Sequence, residues 1–164
     1  ILMSKNTIKI FTDGSSLGNP GPGGYGVVMK YGEKQKQFSE GYELTTNNRM
    51  ELMAVIQALK MLNDFAKGKE IWIYTDSKYV INAIEKKWVF GWVKKNFKDK
   101  ANTDLWKKFL EEYAKYTINF QWVKGHSGHT ENEICEKIEK KAASNQSLKI
   151  DIGYISSNKS NQLF

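Results

Sequence analysis

Apolar and polar residues alternate along the start of the chain with the period of two that half-buried strands show. This alternation predicts one strand over 7–12 and two more, in a meander, over 27–31 and 37–44. A turn-rich loop over 18–24, which holds both prolines of the chain, separates the first strand from the second. We therefore expect the N-terminal part of the chain to form three strands.

The apolar period lengthens after this meander, and from Asn48 to Leu62 it is typical of an amphipathic helix. The remaining predicted elements are a strand over 71–74, a helix from Asp76 to Lys86, a helix over 103–113, a strand over 118–123 and a last helix that begins at Thr130. A meander followed by strands that alternate with helices predicts an α/β fold, with a five-stranded mixed sheet flanked by helices.

The length of 164 residues fits a single domain, which we expect to span 1–155. Residues 156–164 are polar and lack periodicity, so we expect a disordered tail there. Ile1 and Leu2 precede Met3, and we interpret them as an expression scar that lies outside the fold.

The chain is basic, with 25 Lys and Arg residues against 18 Asp and Glu residues and a net charge of +7. This balance favours a polyanionic partner, either a nucleic acid or an anionic membrane surface. Cys135 is the only cysteine, which excludes an intramolecular disulfide and a Cys-based zinc site. The sequence has no apolar run of membrane-spanning length and no signal-peptide pattern, so the expected location is the cytoplasm.

Three acidic residues stand at the ends of predicted elements: Asp13 after the first strand, Glu51 in the long helix and Asp76 after the fourth strand. Each also has a purely structural interpretation. Asp13 could form a turn with the glycine that follows it. Glu51 could close a capping box with Asn48, and Asp76 could cap the next helix.

These acids converge if the first and fourth strands are parallel neighbours, because Asp13 and Asp76 then emerge side by side and the long helix brings Glu51 over them. Crowded carboxylates repel one another, and divalent cations relieve the repulsion. Oxygen-only ligands favour Mg²⁺ or Mn²⁺, and two such ions roughly 4 Å apart can cleave a phosphodiester.

Four segments of the chain resemble the successive motifs of type 1 ribonuclease H, in order and with the expected spacing. They are FTDGSSLGNPGPGGYG (11–26), TTNNRMEL (45–52), YTDSKYV (74–80) and WVKGHSGHTENE (122–133). The resemblance extends from about Lys9 to Tyr154. It implies a ribonuclease H-like fold, hydrolysis of RNA in an RNA/DNA hybrid, and an acidic cluster that binds Mg²⁺ or Mn²⁺, with two ions per site when substrate is bound.

Carried over position by position, the resemblance makes Asp13, Glu51 and Asp76 metal ligands. The fourth ligand of the family is usually an aspartate, and the corresponding residue here is Glu136, which keeps the charge but is one methylene longer. One alternative is that Glu136 is a solvated charge on the last helix, away from its expected buried stripe of Ile134, Ile138 and Ala142. The other alternative is that Glu133 is the ligand, although a capping box with Thr130 also explains Glu133.

His126 lies in a loop between glycines, and a histidine exchanges protons near neutral pH. The resemblance assigns His126 to proton transfer or product release.

Amides and hydroxyls just before Glu51 can contact 2′-hydroxyl groups and the sugar-phosphate backbone, which distinguishes RNA from DNA. By motif position, the residues expected to bind substrate are Gly14, Ser15, Asn19, Thr46, Asn47, Asn48, Arg49 and Lys78. Arg49 is the only arginine of the chain, and a structural ion pair is its alternative role.

Six lysines and one acid, interleaved with aromatic residues, lie between Lys86 and Lys100. This segment resembles the basic handle with which some bacterial members of the family hold the DNA strand, and we expect Trp88, Lys94 and Lys95 to bind substrate. A solvated helix with its aromatic side chains in the core is the alternative.

The predicted function is endonucleolytic hydrolysis of the RNA strand of RNA/DNA hybrids by two-metal-ion catalysis, with 5′-phosphate and 3′-hydroxyl products. The alternatives are a catalytically weakened hybrid-binding module and a related nuclease of the same fold that cuts DNA. We expect the protein to act on the hybrid as a monomer.

Overall fold

The computed structural model describes residues 6–125, 130–145 and 147–160, with side chains described through residue 158. The strands are β1 (Thr7–Ser16), β2 (Gly21–Tyr31), β3 (Lys34–Thr45), β4 (Glu70–Thr75) and β5 (Ile118–Trp122). The helices are α1 (Asn47–Met61), α2 (Lys78–Glu85), α3 (Trp88–Lys94), α4 (Thr103–Tyr113), α5 (Thr130–Ala143) and α6 (Ile152–Ser160), with a 3₁₀ turn at Asp64–Ala66. In these ranges every helix is too short or too polar to cross a membrane.

The sheet is mixed and five-stranded, in the order β3-β2-β1-β4-β5, which confirms the predicted fold. The meander β1-β2-β3 is antiparallel, whereas β4 runs parallel to both β1 and β5. Phe11 of β1 is the register partner of Tyr74 of β4. Two residues further along each strand are Asp13 and Asp76, so the parallel register carries both acids to the same edge of the sheet.

Successive residues of a strand point to opposite faces of the sheet. Apolar side chains of β1 point to both faces, and helices cover each of them. Ile10 belongs to the larger apolar cluster, which includes Trp106 of α4 and the buried residues of α1. The next residue, Phe11, belongs to a smaller cluster with Cys135 of α5. The central strand β1 is thus packed between α1 on one side and α5 on the other.

The structure differs from the sequence-based prediction in several places. β1 continues to Ser16, so Asp13 lies inside the strand and does not form a turn after it. β2 begins at Gly21, inside the predicted loop, and the lysine- and tryptophan-rich segment contains the short helix α3. Residues 156–160, expected in a disordered tail, lie in α6, where Asp151 accepts a hydrogen bond from the backbone N–H of Tyr154. Asp151 could have predicted the start of this helix, but the lack of apolar periodicity favoured a tail. Residues 161–164 lie outside the described residues.

Replacing Ile73 with alanine should destabilise the fold by about 2–5 kcal/mol, because this β4 side chain is fully buried and its removal leaves a cavity. The matched control is Ile152→Ala in α6, a side chain 72% exposed, which should change the free energy of unfolding by no more than about 0.5 kcal/mol. Denaturant titrations measure both values. Equal effects of the two substitutions would contradict the described core.

Candidate active site

Three carboxyl groups meet where β4 ends beside β1. One oxygen atom from each of Asp13, Glu51 and Asp76 can be chosen so that all lie within 4.8 Å of one another. The parallel register of β1 and β4 places the two aspartates, and α1 crosses behind them with Glu51 in its second turn. The structure therefore brings together the residues that the sequence predicted would converge.

The close approach of β1 to α1 depends on Gly14. A Cβ atom at this position would lie 2.4 Å from the carbonyl carbon of Met50 and 2.6 Å from the backbone nitrogen of Glu51, which is too close for any other residue without a backbone shift. Burial raises the pKa of Asp13 and of Glu51, and the nearby backbone N–H of Gly14 partly opposes this rise in each. Gly14 thus contributes to the site through its backbone.

Helix capping is carried out by neighbours of these acids. The side chain of Thr46 accepts the backbone N–H of the third residue of α1, and Ser77 does the same for α2, each at 3.2 Å. The alternative interpretations of Glu51 as a capping-box residue and Asp76 as an N-cap are therefore wrong.

Burial and mutual repulsion dominate the electrostatics of the three acids. Burial, followed by the charges of Asp76 and Glu139, raises the pKa of Asp13 to about 8. Burial and the charges of Asp13 and Asp76 raise the pKa of Glu51 well above its ordinary value. Without a cation, the protein therefore favours protonation of Asp13 and Glu51 at neutral pH.

The cluster also contains an oxygen atom that lacks a partner. Oε2 of Glu51 is buried and accepts no hydrogen bond from the described residues. A buried oxygen left unsatisfied costs about 1–3 kcal/mol, and a bound cation would satisfy it. Three carboxylates without nitrogen or sulfur ligands suit Mg²⁺ or Mn²⁺, so the residues present fit a divalent-cation site.

A cavity of about 500 Å³ opens over the acids. Glu136 and Lys140, one turn apart on α5, both line it, and Lys140 Nζ lies 2.5 Å from Glu136 Oε1. The side chain of Glu136 is 25% exposed, so a movement of its carboxylate would not require repacking of the core. The role of Glu136 as a metal ligand stays a prediction, as does that of Glu133, which lines the same cavity.

Sequence reasoning missed Glu139, an acid of α5 that lines the cavity and is only 2% exposed. Ser15 donates a hydrogen bond to its carboxylate. The buried side of α5 includes Cys135, Glu139 and Ala142, whereas Ile134 and Ile138, expected at its centre, are only partly buried. The spacing of Glu139 from Cys135 and Ala142 places the three residues on one face of the helix and could have predicted that Glu139 is buried. Its charge instead suggested an exposed position.

Several of the predicted substrate-binding residues lie beside the acids. Asn47, Asn48 and Lys78 line the cavity. Asn19 accepts the backbone N–H of Asn47 at 3.1 Å, and the side chain of Asn47 accepts the backbone N–H of Ser16 at 2.7 Å. These bonds join the β1-β2 turn to the start of α1, and the predicted substrate contacts of these residues fit their exposure.

Arg49 lies in a buried network of ion pairs. Its guanidinium is buried, donating to Asp151 at 2.7 and 2.9 Å and to Asp104 at 2.7 and 2.9 Å. Asp151 also accepts a hydrogen bond from Thr45 at 2.7 Å. The alternative role of Arg49 in a structural ion pair is confirmed, because its donors join α1 to α4 and to the cap of α6, and its substrate contact stays a prediction.

The basic segment is exposed, as a phosphate-binding surface must be. Lys94 and Lys95 lie at the C-terminal end of α3, and Trp88 at its start is 47% exposed. Phe97 is buried, as the alternative interpretation of the aromatic residues requires for this side chain. The predicted contacts of Trp88, Lys94 and Lys95 with substrate remain predictions.

His126 lies outside the described residues. The preceding Gly125 is described, and a Cβ atom there would lie 2.8 Å from Oδ2 of Asp76. The backbone that leads to His126 therefore passes directly beside the acidic cluster.

Comparisons with known proteins agree with this arrangement. A model of the RNase H family matches residues 5–144. Ribonuclease HI of Pasteurella multocida (strain Pm70) is 51% identical over 152 residues, which cover 90% of this chain and 96% of the relative. Ribonuclease H of Nitratidesulfovibrio vulgaris (strain DP4) is 46% identical over 157 residues, which cover 93% and 99% of the two chains.

Solved structures show the same fold. The crystal structure of LC9-RNase H1, a type 1 RNase H with the type 2 active-site motif, has a TM-score of 0.74 at 29% identity, covering 87% of this chain and 74% of that one. LC11-RNase H1, crystallised in complex with an RNA/DNA hybrid, has a TM-score of 0.64 at 25% identity, covering 84% and 99%.

The raised pKa values predict how stability depends on pH when no metal is bound. The pKa of Asp13 is about 8 in the fold against an ordinary value of 3.8, so between these values the folded state binds more protons than the unfolded state. Stability should therefore fall as the pH rises from about 5 to about 8. Thermal unfolding in EDTA measures this fall, and Mg²⁺ should raise the melting temperature more at the higher pH. An unchanged pH dependence in Asp13→Asn would contradict the assignment.

The two partners of Arg49 should differ in their contribution to stability. Asp151→Asn removes a charge whose side chain is 1% exposed, and it should cost about 3–5 kcal/mol because the guanidinium loses a buried counter-ion. Asp104→Asn acts at a side chain 39% exposed, and it should cost no more than about 1 kcal/mol. Urea titrations of both variants test this order. A larger loss of unfolding free energy in Asp104→Asn than in Asp151→Asn would contradict the prediction.

Proposed function

This chain belongs to the ribonuclease H family and is an endonuclease for the RNA strand of RNA/DNA hybrids, and we propose that it cuts with two divalent cations, Mg²⁺ or Mn²⁺, held by Asp13, Glu51 and Asp76. The observation that carries this proposal is the meeting of the three carboxylates within 4.8 Å. Glu136 is proposed as the further ligand on α5, in place of the usual aspartate.

The first proposed role of the chain's own residues is to supply negative charge that binds the cations. Asp13, Glu51 and Asp76 lie on elements anchored in the core, so their oxygens are held in place before any cation arrives. When bound, the cations would activate a water molecule and stabilise the leaving 3′-oxygen, giving 5′-phosphate and 3′-hydroxyl ends. His126, in the segment that follows Gly125, is proposed to transfer a proton or to assist product release.

Binding of the hybrid is proposed to use two surfaces. The polar residues around the cavity, Asn19, Asn47 and Asn48, would contact the ribose and phosphate groups of the RNA strand near the acids. The exposed lysines at the end of α3 would hold phosphates of the DNA strand without reading base sequence, so that binding weakens as salt concentration rises. We further propose that the protein acts as a monomer in the cytoplasm.

A hybrid-binding module without activity is the alternative function, and the replacement of the usual aspartate by Glu136 favours it. A labelled RNA/DNA hybrid, duplex RNA and duplex DNA, each incubated with Mg²⁺ and with Mn²⁺, distinguish the possibilities. Cleavage of the RNA strand of the hybrid is expected. Retention of the hybrid without cleavage under both metals would support the binding module, and cleavage of duplex DNA alone would support a DNA nuclease.

Asp13→Asn should lower the cleavage rate by more than about 100-fold, since loss of even an outer residue of a metal site costs about 10–100-fold. Hybrid binding should persist, because the substitution removes a negative charge that faces a polyanion. The matched control is Asp64→Asn, a carboxylate 94% exposed in the 3₁₀ turn, which should leave cleavage unchanged. Cleavage rates and filter-binding affinities of the three proteins test the assignment, and full activity of Asp13→Asn would refute it.

A further inference from the structure

Glu139 is a buried acid with no assigned role in the chemistry described above. It lies on the inner side of α5, and its carboxylate oxygen Oε1 accepts a hydrogen bond from the hydroxyl of Ser15. Its carboxyl group lines the same cavity as that of Asp13, and Ser15, which it contacts, lies two residues after Asp13 on β1. Glu139 therefore lies beside the acidic cluster, on the face of the sheet opposite to α1.

The packing of α5 on the sheet fixes this position. A Cβ atom on Gly24 of β2 would lie 2.7 Å from the backbone oxygen of Glu139, so the helix backbone rests directly on the strand. Ser15 is the register partner of the same Gly24. The Glu139 side chain consequently reaches Ser15 of β1, and the residue is only 2% exposed where it lines the cavity.

A carboxylate in such a place needs a positive partner. Two carboxylates in contact repel each other unless a proton or a cation lies between them, and burial strengthens the repulsion. The charge of the nearby Lys140 ammonium also acts on Glu139, but among the described residues its hydrogen bond goes to Glu136, whose side chain is 25% exposed. Ser15 stabilises one oxygen of Glu139, but a hydroxyl carries no charge.

We propose that Glu139, a buried residue, is an additional carboxylate of the divalent-cation site, which it joins from α5 beside Asp13. The proposal rests on the proposed metal site of Asp13, Glu51 and Asp76. It means that α5 contributes to cation binding at two depths, through a buried Glu139 and a more exposed Glu136. The cluster then contains more negative charge than the usual set of ligands, which offsets the longer side chain at position 136.

Binding of Mn²⁺ in the absence of substrate, followed by the electron paramagnetic resonance of free Mn²⁺, tests this proposal. Glu139→Gln keeps the size of the side chain and an amide oxygen for the Ser15 hydrogen bond, and it removes only the charge. We expect the apparent Kd for Mn²⁺ to rise about tenfold or more. The matched control is Glu131→Gln on the same helix, whose carboxylate bonds Lys30 at 2.8 Å outside the cavity, and its Kd should not change.

Asp13→Asn, measured in parallel, separates failure of this proposal from failure of the metal site. If Asp13→Asn weakens Mn²⁺ binding and Glu139→Gln does not, Glu139 serves only to hold Ser15 and the proposal is overturned. If neither substitution affects Mn²⁺ binding, the metal site itself is wrongly placed. Tighter binding by Glu139→Gln would also overturn the proposal.

A measurement on the unsubstituted protein covers the case in which Glu139→Gln does not fold. In a titration with Mg²⁺ followed by carbon-13 resonances of carboxyl groups, the signal of Glu139 should shift and saturate together with that of Asp13. A Glu139 signal that stays constant while the Asp13 signal moves would overturn the proposal.

Discussion

Repulsion between carboxylates that the fold forces together is the interaction on which the rest of this structure depends. β1 and β4 deliver two aspartates to one edge of the sheet, and α1 holds a glutamate against them through the backbone contact at Gly14. The apolar packing on both faces of β1 supplies the free energy that opposes this repulsion. The same crowding of carboxylates therefore both favours cation binding and destabilises the metal-free fold.

On the surface proposed to face the substrate, the hydrogen-bonded residues beside the acids and the exposed lysines lie in different places. The hydrogen bonds among Ser16, Asn19 and Asn47 join a turn of the meander to the start of α1, so polar groups near the acids are already ordered before a nucleic acid binds. The lysines of α3 stand apart from this network on a short helix whose aromatic residue Trp92 packs against the core. Orientation at the scissile phosphate and general attraction to the backbone are thus supplied by separate parts of the molecule.

The sequence was sufficient to predict the sheet and the acidic cluster because both follow from local patterns: strand periodicity fixes the elements, and their order fixes which ends meet. Glu139 and Arg49 were not predictable in this way. A charged residue in a helix is expected at the surface, and only the packing of α5 on β2 reveals that Glu139 is buried. The partners of Arg49, Asp104 and Asp151, lie far along the chain and become apparent only in the folded protein.

The link between Arg49 and Asp151 has a consequence for synthesis of the chain. The two residues are 102 positions apart, and Arg49 is two residues from Glu51. A ribosome therefore completes the helix that carries the metal-binding glutamate well before it adds the carboxylate that neutralises the guanidinium at that helix's start. Until Asp151 has been added, Arg49 has only Asp104 for a carboxylate partner within this network, so the network is completed only after nearly all of the described residues have been synthesised.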